Sequence, residues 1–126
     1  MNFKEFYVAN SDGKSNCVIR TFCKMYNEEY DNVYNELCAF AKELNRDSFN
    51  DIEVFETYMK NHNTNLIDYG KDIKIKDLKL DNGSYAIFCS DKKDFYHMVT
   101  VIDNVLYDKS DESFELYVNS IYKQNI

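Results

Sequence analysis

Proline is absent from this chain and glycine occurs only three times, so no Pro/Gly/Ser-rich linker divides it. A length of 126 residues without such a break predicts one domain with one core, spanning 1–126. Positive charge is in short supply: 15 Lys and Arg against 22 Asp and Glu leave a net charge of −7. A surface of that sign repels phosphate backbones, so nucleic acid is not an expected partner. Lys71, Lys74, Lys76 and Lys79 make one local basic cluster, read as a solvated face. Long apolar runs are lacking as well. No stretch approaches the ~20 apolar residues of a membrane span, and Met1 to Asn10 lacks the basic start and apolar run of an export signal. The expectation is a cytoplasmic protein with reduced thiols and no membrane association. No two of the four cysteines form a CxxC pair, which leaves little to build a zinc site on; no metal and no cofactor are expected.

What the chain does have is apolar and aromatic mass. Hydrophobic residues make up 44% and aromatics 16%, enough to order a core rather than leave the chain disordered. Asn2 to Val8 reads as a short strand or extended entry, followed by a polar loop from Asn10 to Asn16. Cys17, Val18, Ile19, Phe22, Cys23 and Tyr26 follow at helical spacing, with Ser15 or Asn16 as N-cap. A second helix is expected from Asp31, as its cap, to Leu44, with Val33, Leu37, Phe40, Ala41 and Leu44 on one face. A third is expected from Ser48 or Asn50 to Lys60. Ile52, Phe55, Tyr58 and Met59 share its face, and Asn50 with Glu53 resembles a capping box.

The periodicity then changes. Asn61 to Tyr69 reads as a polar connection, Ile73 to Leu80 as strand or short helix, and Asp81-Asn82-Gly83 as a turn. Ser84–Ser90, Phe95–Ile102, Val105–Asp108 and Phe114–Tyr122 are rich in strand formers. Helices first and strands after predict an α+β fold with a mostly antiparallel sheet.

The default for a free cysteine is a small buried hydrophobe, and Cys23, Cys38 and Cys89 are read so. Cys17 differs by its place. The first turn of a helix offers unpaired N–H groups and a positive dipole end, and both stabilise a thiolate. Arg20, one turn on, adds positive potential. His62 falls in a polar stretch and reads as exposed; His97 falls in a strand.

The Asp103-Asn104 pair sets the register around His97. A two-residue hairpin turn there pairs Ile102 with Val105, Val101 with Leu106, Thr100 with Tyr107 and Val99 with Asp108. His97, Val99, Val101, Leu106 and Asp108 then share one face. A carboxylate on that otherwise apolar face is costly without a partner, and His97 lies diagonal to it. A carboxylate that orients an imidazole is the third member of a Cys–His nucleophile system. Asn104, the rival third member, lies in the turn at the far end from His97.

Asn16-Cys17-Val18-Ile19-Arg20-Thr21-Phe22 resembles the nucleophile helix of small papain-like cysteine peptidases of bacteria and their phages, which carry an Asp-Cys-Val-Ile-Arg-Ala type motif. Tyr96 to Asp108 resembles their His hairpin, which ends in a Tyr-Asp pair. The likeness is carried by these two segments. It implies a papain-like fold, with a nucleophile helix packed on a C-terminal sheet. It also implies the roles of Cys17 as nucleophile, His97 as base and acid, and Asp108 as orienter. The chain departs from the pattern at Asn16, where the family has Asp, and at Tyr96, where these hairpins have Gly. No Gln precedes Cys17 at the oxyanion spacing; Ser11 holds that place, and Asn10 is nearest in type. The function implied is a thiol hydrolase acting on an amide or isopeptide of a protein or peptide. The alternatives are a catalytically impaired module that binds a peptide or protein, for which the many Tyr would serve as contact surface, and a transglutaminase-like acyltransferase. Nucleic-acid mimicry is permitted by the charge and supported by nothing else.

Overall fold

Asp103 and Asn104 both have positive φ, 48° and 67°, and between them turn the chain back on itself. In the computed structural model, which describes residues 1–125, this hairpin joins β4 (Tyr96–Ile102) to β5 (Val105–Asp108). Ile102 faces Val105, Val101 faces Leu106 and Thr100 faces Tyr107, the register that the turn dictates. Pairing stops there. Val99 and Asp108 are not partners; Asp108 pairs only on its other side, with Glu5 of a parallel strand, β1 (Asn2–Glu5).

The fold is α+β, with three helices and a six-stranded mixed sheet of order β1-β5-β4-β3-β6-β2. Strand β3 (Ser84–Ser90) lies between β4 and β6 (Tyr117–Gln124), antiparallel to both. One face of the sheet is covered by α1 (Cys17–Tyr26), α2 (Tyr30–Glu43) and α3 (Ile52–Asn61). Phe22, Leu37, Phe55 and Tyr58 pack there against Ala86, Met98 and Tyr122. On a second cluster, Ile87, Val99, Val101 and Leu106 pack with Ile75, whose segment Ile75–Asp77 is a single 3-10 turn. With apolar clusters on both sides, the central strands are buried along most of their length: Met98 to Val101 in β4 are all at 1% exposure or less.

Several boundaries differ from expectation. The expected strand Asn2–Val8 ends at Glu5. Helix α2 begins at Tyr30, so Asp31 lies in its first turn beside the positive dipole end instead of capping it. The α3 cap is Asp51, which accepts from the Glu53 N–H at 2.9 Å, instead of Asn50. Ile52 is 50% exposed; Val54 takes the buried place on that helix. Asn61–Tyr69 is not simply a connection: Thr64–Tyr69 forms β2 and pairs with β6 as an edge strand. The segment read as a strand from Phe114 begins as a 3-10 turn, Asp111–Glu115, and β6 starts only at Tyr117. Lys74 and Lys76 both bond Glu115, so that stretch is a set of ion pairs rather than a free basic cluster.

Strand β6 carries a bulge. Cys89 faces Val118 and Phe88 faces Ser120, leaving Asn119 as the extra residue. Gly70 anchors it, donating its N–H to the Asn119 carbonyl at 2.8 Å. A Cβ on Gly70 would stand 1.5 Å from the Val118 carbonyl oxygen. Gly70→Ala is therefore expected to cost about 1–3 kcal/mol or more through overpacking against backbone. An unchanged urea midpoint would refute that account.

No helix among the described residues is long and apolar enough to cross a membrane.

Candidate active site

Helix α1 is started by Asn16, whose side-chain oxygen accepts from the N–H groups of Val18, at 2.9 Å, and Ile19, at 3.3 Å. This cap leaves the N–H of Cys17, at the first helical position, without an acceptor among the described residues. Cys17 is half-buried at the end of a helix whose next six residues are all buried, so the segment is held rigidly.

His97 and Asp108 meet where β4 and β5 have ceased to pair. His97 Nε2 lies 2.8 Å from Asp108 Oδ2. Cys17 and the same imidazole line one cleft and lie close enough for each to shift the other's titration. With Nε2 engaged by the carboxylate, Nδ1 is the nitrogen left for the sulfur. The order is therefore thiol, imidazole, carboxylate, as inferred from sequence. Asn104 takes no part: it lies in the turn, and its carbonyl accepts from the Asn2 N–H.

Asp108 is 3% exposed, and its carboxylate accepts from four donors. One carboxylate oxygen accepts from Arg20 Nη2 at 3.1 Å and from the Lys109 N–H at 2.8 Å. The other accepts from His97 and from the Ser113 hydroxyl. Arg20 is itself buried, at 5% exposure, and its second nitrogen donates to Ser15 Oγ at 3.1 Å. Ser15 in turn donates to the Val8 carbonyl at 2.8 Å. The network ties the loop before α1 to the end of β5.

These contacts decide the charges. Burial opposes ionisation of Cys17, but the His97 hydrogen bond and positive charge, the Met98 backbone N–H and the Arg20 charge outweigh it and hold the thiol below its ordinary 9.0. Burial likewise opposes a charged His97, but the hydrogen bonds to Asp108 and Cys17 raise it to about 9. Burial disfavours the Asp108 anion too, yet His97 and Ser113 lower it to about 2. Both shifts favour the pair in which the thiol has given its proton to the imidazole. Two buried thiols move the other way: burial pushes Cys23 up to about 11 and Cys89 well above its ordinary value. All four cysteines are free; Cys23 and Cys89 are buried and Cys38 half-buried.

Cys17 and His97 open into a cleft of about 700 Å³ between the start of α3 and the β3–β4 hairpin. The proposed oxyanion donors are not in it. Asn10 is a turn residue whose side-chain oxygen accepts from the Asp12 and Lys14 N–H groups, and with Ser11 it lines a separate polar hollow beside Tyr34 and Phe49. The amides in the Cys17 cleft are Asn50 and Asn119. Tyr96 does not cover His97: it is exposed and stacks on Phe88, centroids 5.7 Å apart. Phe95 instead lies against the imidazole, centroids 5.6 Å apart.

Sequence reading missed Ser113, Phe95 and Asn119, which no local pattern marks. It also misplaced His62, which is half-buried, stacked on Tyr58 and 2.7 Å from Glu36. No group of three or more His, Cys, Asp or Glu suited to a metal ion occurs among the described residues. No family model, curated protein or solved structure matches this chain.

Proposed function

We propose that this protein is a thiol hydrolase of the papain-like kind, a cysteine peptidase, isopeptidase or amidase, with Cys17 as nucleophile, His97 as acid and base, and Asp108 as orienter. The observation that carries the reading is the convergence of Cys17 and a carboxylate-bonded His97 on one cleft, where the thiol is shifted toward its anion. The thiolate adds to an amide carbonyl carbon, and the developing oxyanion takes the free Cys17 N–H. The imidazolium gives its proton to the leaving nitrogen as the C–N bond breaks, leaving a thioester. His97 then removes a proton from water, which attacks the thioester and releases the acid and the thiolate. An amine in place of water makes the same machinery an acyltransferase. No step calls on a cofactor.

Labelling tests the reading directly. At about pH 6 iodoacetamide is expected to modify Cys17 well before Cys23, Cys38 and Cys89, as read by peptide mass spectrometry. Equal labelling of all four would sink it. Two pH profiles sharpen the test. Alkylation needs only the thiolate, so it should rise once, below pH 9, and stay level. Peptide hydrolysis also needs the imidazolium, so it should fall again as pH passes about 9. Hydrolysis that climbs steadily through pH 10 would contradict the assignment of His97.

A second reading has one observation in its favour. Neither Asn10 nor Ser11 lines the Cys17 cleft, so the second oxyanion donor expected on that loop is missing. A protein that keeps the triad but binds peptide without turning it over would label at Cys17 yet show no hydrolysis.

A further inference from the structure

The walls of the Cys17 cleft are apolar: Val18, Ile52, Phe55, Phe88, Tyr96 and Met98. Three of these rings run in a line, Phe55 to Phe88 at 5.5 Å and Phe88 to Tyr96 at 5.7 Å, the latter pair nearly parallel at 13°. At the mouth, Ile52 is 50% and Tyr96 58% exposed, although both side chains are large and apolar. Ile52 was expected in the core by its helical spacing and is left out of it.

The charged groups on the walls already have partners. Asp51, the one acid on the walls, is engaged as the α3 cap, and His97 is held by Asp108. A charged side chain entering there would lose water without gaining a partner. Asn119 supplies a polar handle: its side-chain oxygen accepts from Ser90 Oγ at 3.1 Å, which leaves its amide N–H groups to donate. The volume of about 700 Å³ falls in the ~300–1,000 Å³ range of sites for small ligands, enough for a short peptide segment.

We propose that this cleft binds a bulky aromatic or aliphatic side chain adjacent to the carbonyl that Cys17 attacks, with Tyr96 and Ile52 selecting it and the Asn119 amide holding a peptide carbonyl. The placement of the attacked carbonyl rests on the thiol-hydrolase reading; the binding preference does not. A peptide with small residues, such as a Gly-Gly terminus, would leave the apolar walls wet and gain little. Tyr96, which stands where the His hairpin of papain-like peptidases has Gly, thus becomes a determinant of specificity rather than an obstruction.

The test separates the two layers. Cys17→Ala protein, which has no nucleophile, is titrated with N-acetyl-phenylalanine amide, N-acetyl-leucine amide, N-acetyl-glycine amide and N-acetyl-aspartate amide. Binding is followed by NMR shifts of the Tyr96, Phe88, Ile52 and Asn119 signals. The apolar pair should bind at least about tenfold more tightly than the glycyl and aspartyl amides. The variants Tyr96→Gly and Ile52→Ser, both at exposed positions, should remove most of that difference while the rest of the spectrum stays native. Equal affinities, or shifts confined to residues outside the cleft, would overturn the proposal. On the intact thiol, phenylalanyl and glycyl chloromethyl ketones are then compared with iodoacetamide. A phenylalanyl rate above the glycyl rate at Cys17, each divided by the iodoacetamide rate of the same protein, with that ratio reduced in Tyr96→Gly, supports the proposal. Identical rates for the two ketones overturn it. Failure of iodoacetamide to favour Cys17 overturns the hydrolase reading alone, since the amide titration still decides the binding preference.

Discussion

His97→Ala is expected to slow alkylation of Cys17 near pH 6 by about a hundredfold or more, because each unit added to a thiol pKa removes nine-tenths of its thiolate there. Burial of Cys17 favours the neutral thiol, and the two largest opposing influences both come from His97: its hydrogen bond and its charge. Without them only the Met98 N–H and the Arg20 charge remain. Cys89 has no such opposition: burial, with the Cys17 and Asp108 charges adding to it, pushes its thiol far above the ordinary value. His97 is a suitable target because its side chain is only 12% exposed yet stands near the end of β4, so truncation leaves the centre of the sheet intact. Peptide hydrolysis should fall further than alkylation, about a thousandfold or more, since the leaving group also loses its proton donor. A decrease in alkylation of less than about threefold would mean that the helix start, not the imidazole, sets the thiol's reactivity.

The parts of the site that were legible from sequence are those that local physics fixes. Asp103-Asn104 tolerates positive φ, and that alone sets the β4–β5 register. Asn16 before an apolar run marks a helix start. A buried carboxylate on an apolar face demands a partner, and His97 was the one within reach. What stayed hidden depends on distant residues. Strand β2 is an edge whose side chains, Thr64 apart, point mostly to water, so it lacks the alternation that marks a half-buried strand; its partner β6 lies over fifty residues on. Arg20 reads as a source of positive potential for Cys17, and no local pattern shows that it is bonded to Asp108, 88 residues away. Asn10 carries the right amide for an oxyanion donor, but short polar side chains in turns bond their own backbone first. The abundance of Tyr divides both ways: Tyr58, Tyr85 and Tyr122 are core, whereas Tyr7, Tyr69 and Tyr96 are exposed.

The largest loss of stability is expected from Asp108→Ala, about 3–5 kcal/mol, the usual cost of stranding one member of a buried ion pair. Arg20 would keep its Ser15 contact but lose its only carboxylate, at 5% exposure. The Ser113 hydroxyl, the Lys109 N–H and His97 Nε2 would lose the same acceptor. Against a typical total of about 5–15 kcal/mol for a small domain, that change threatens the fold as well as the chemistry. The double variant Arg20→Met, Asp108→Ala separates the two. Removing the stranded cation should restore part of the stability, because apolar groups replace a buried pair at little cost. Cys17 reactivity should not return, since His97 still lacks its orienting carboxylate. The pH dependence has a definite sign. Asp108 is lowered from 3.8 to about 2, so its stabilisation is present above pH 3.8 and lost as pH falls through 2. His97 is raised from 6.5 to about 9, so its contribution is full below pH 6.5 and lost as pH rises through 9. The gap between wild type and Asp108→Ala in urea unfolding should therefore be widest between these limits, near pH 5. It should narrow at about pH 10 to the part that Arg20 supplies, because arginine keeps its charge there. A gap below about 1 kcal/mol at pH 5, or one that widens toward pH 10, would show that the Asp108 network does not hold this end of the sheet together.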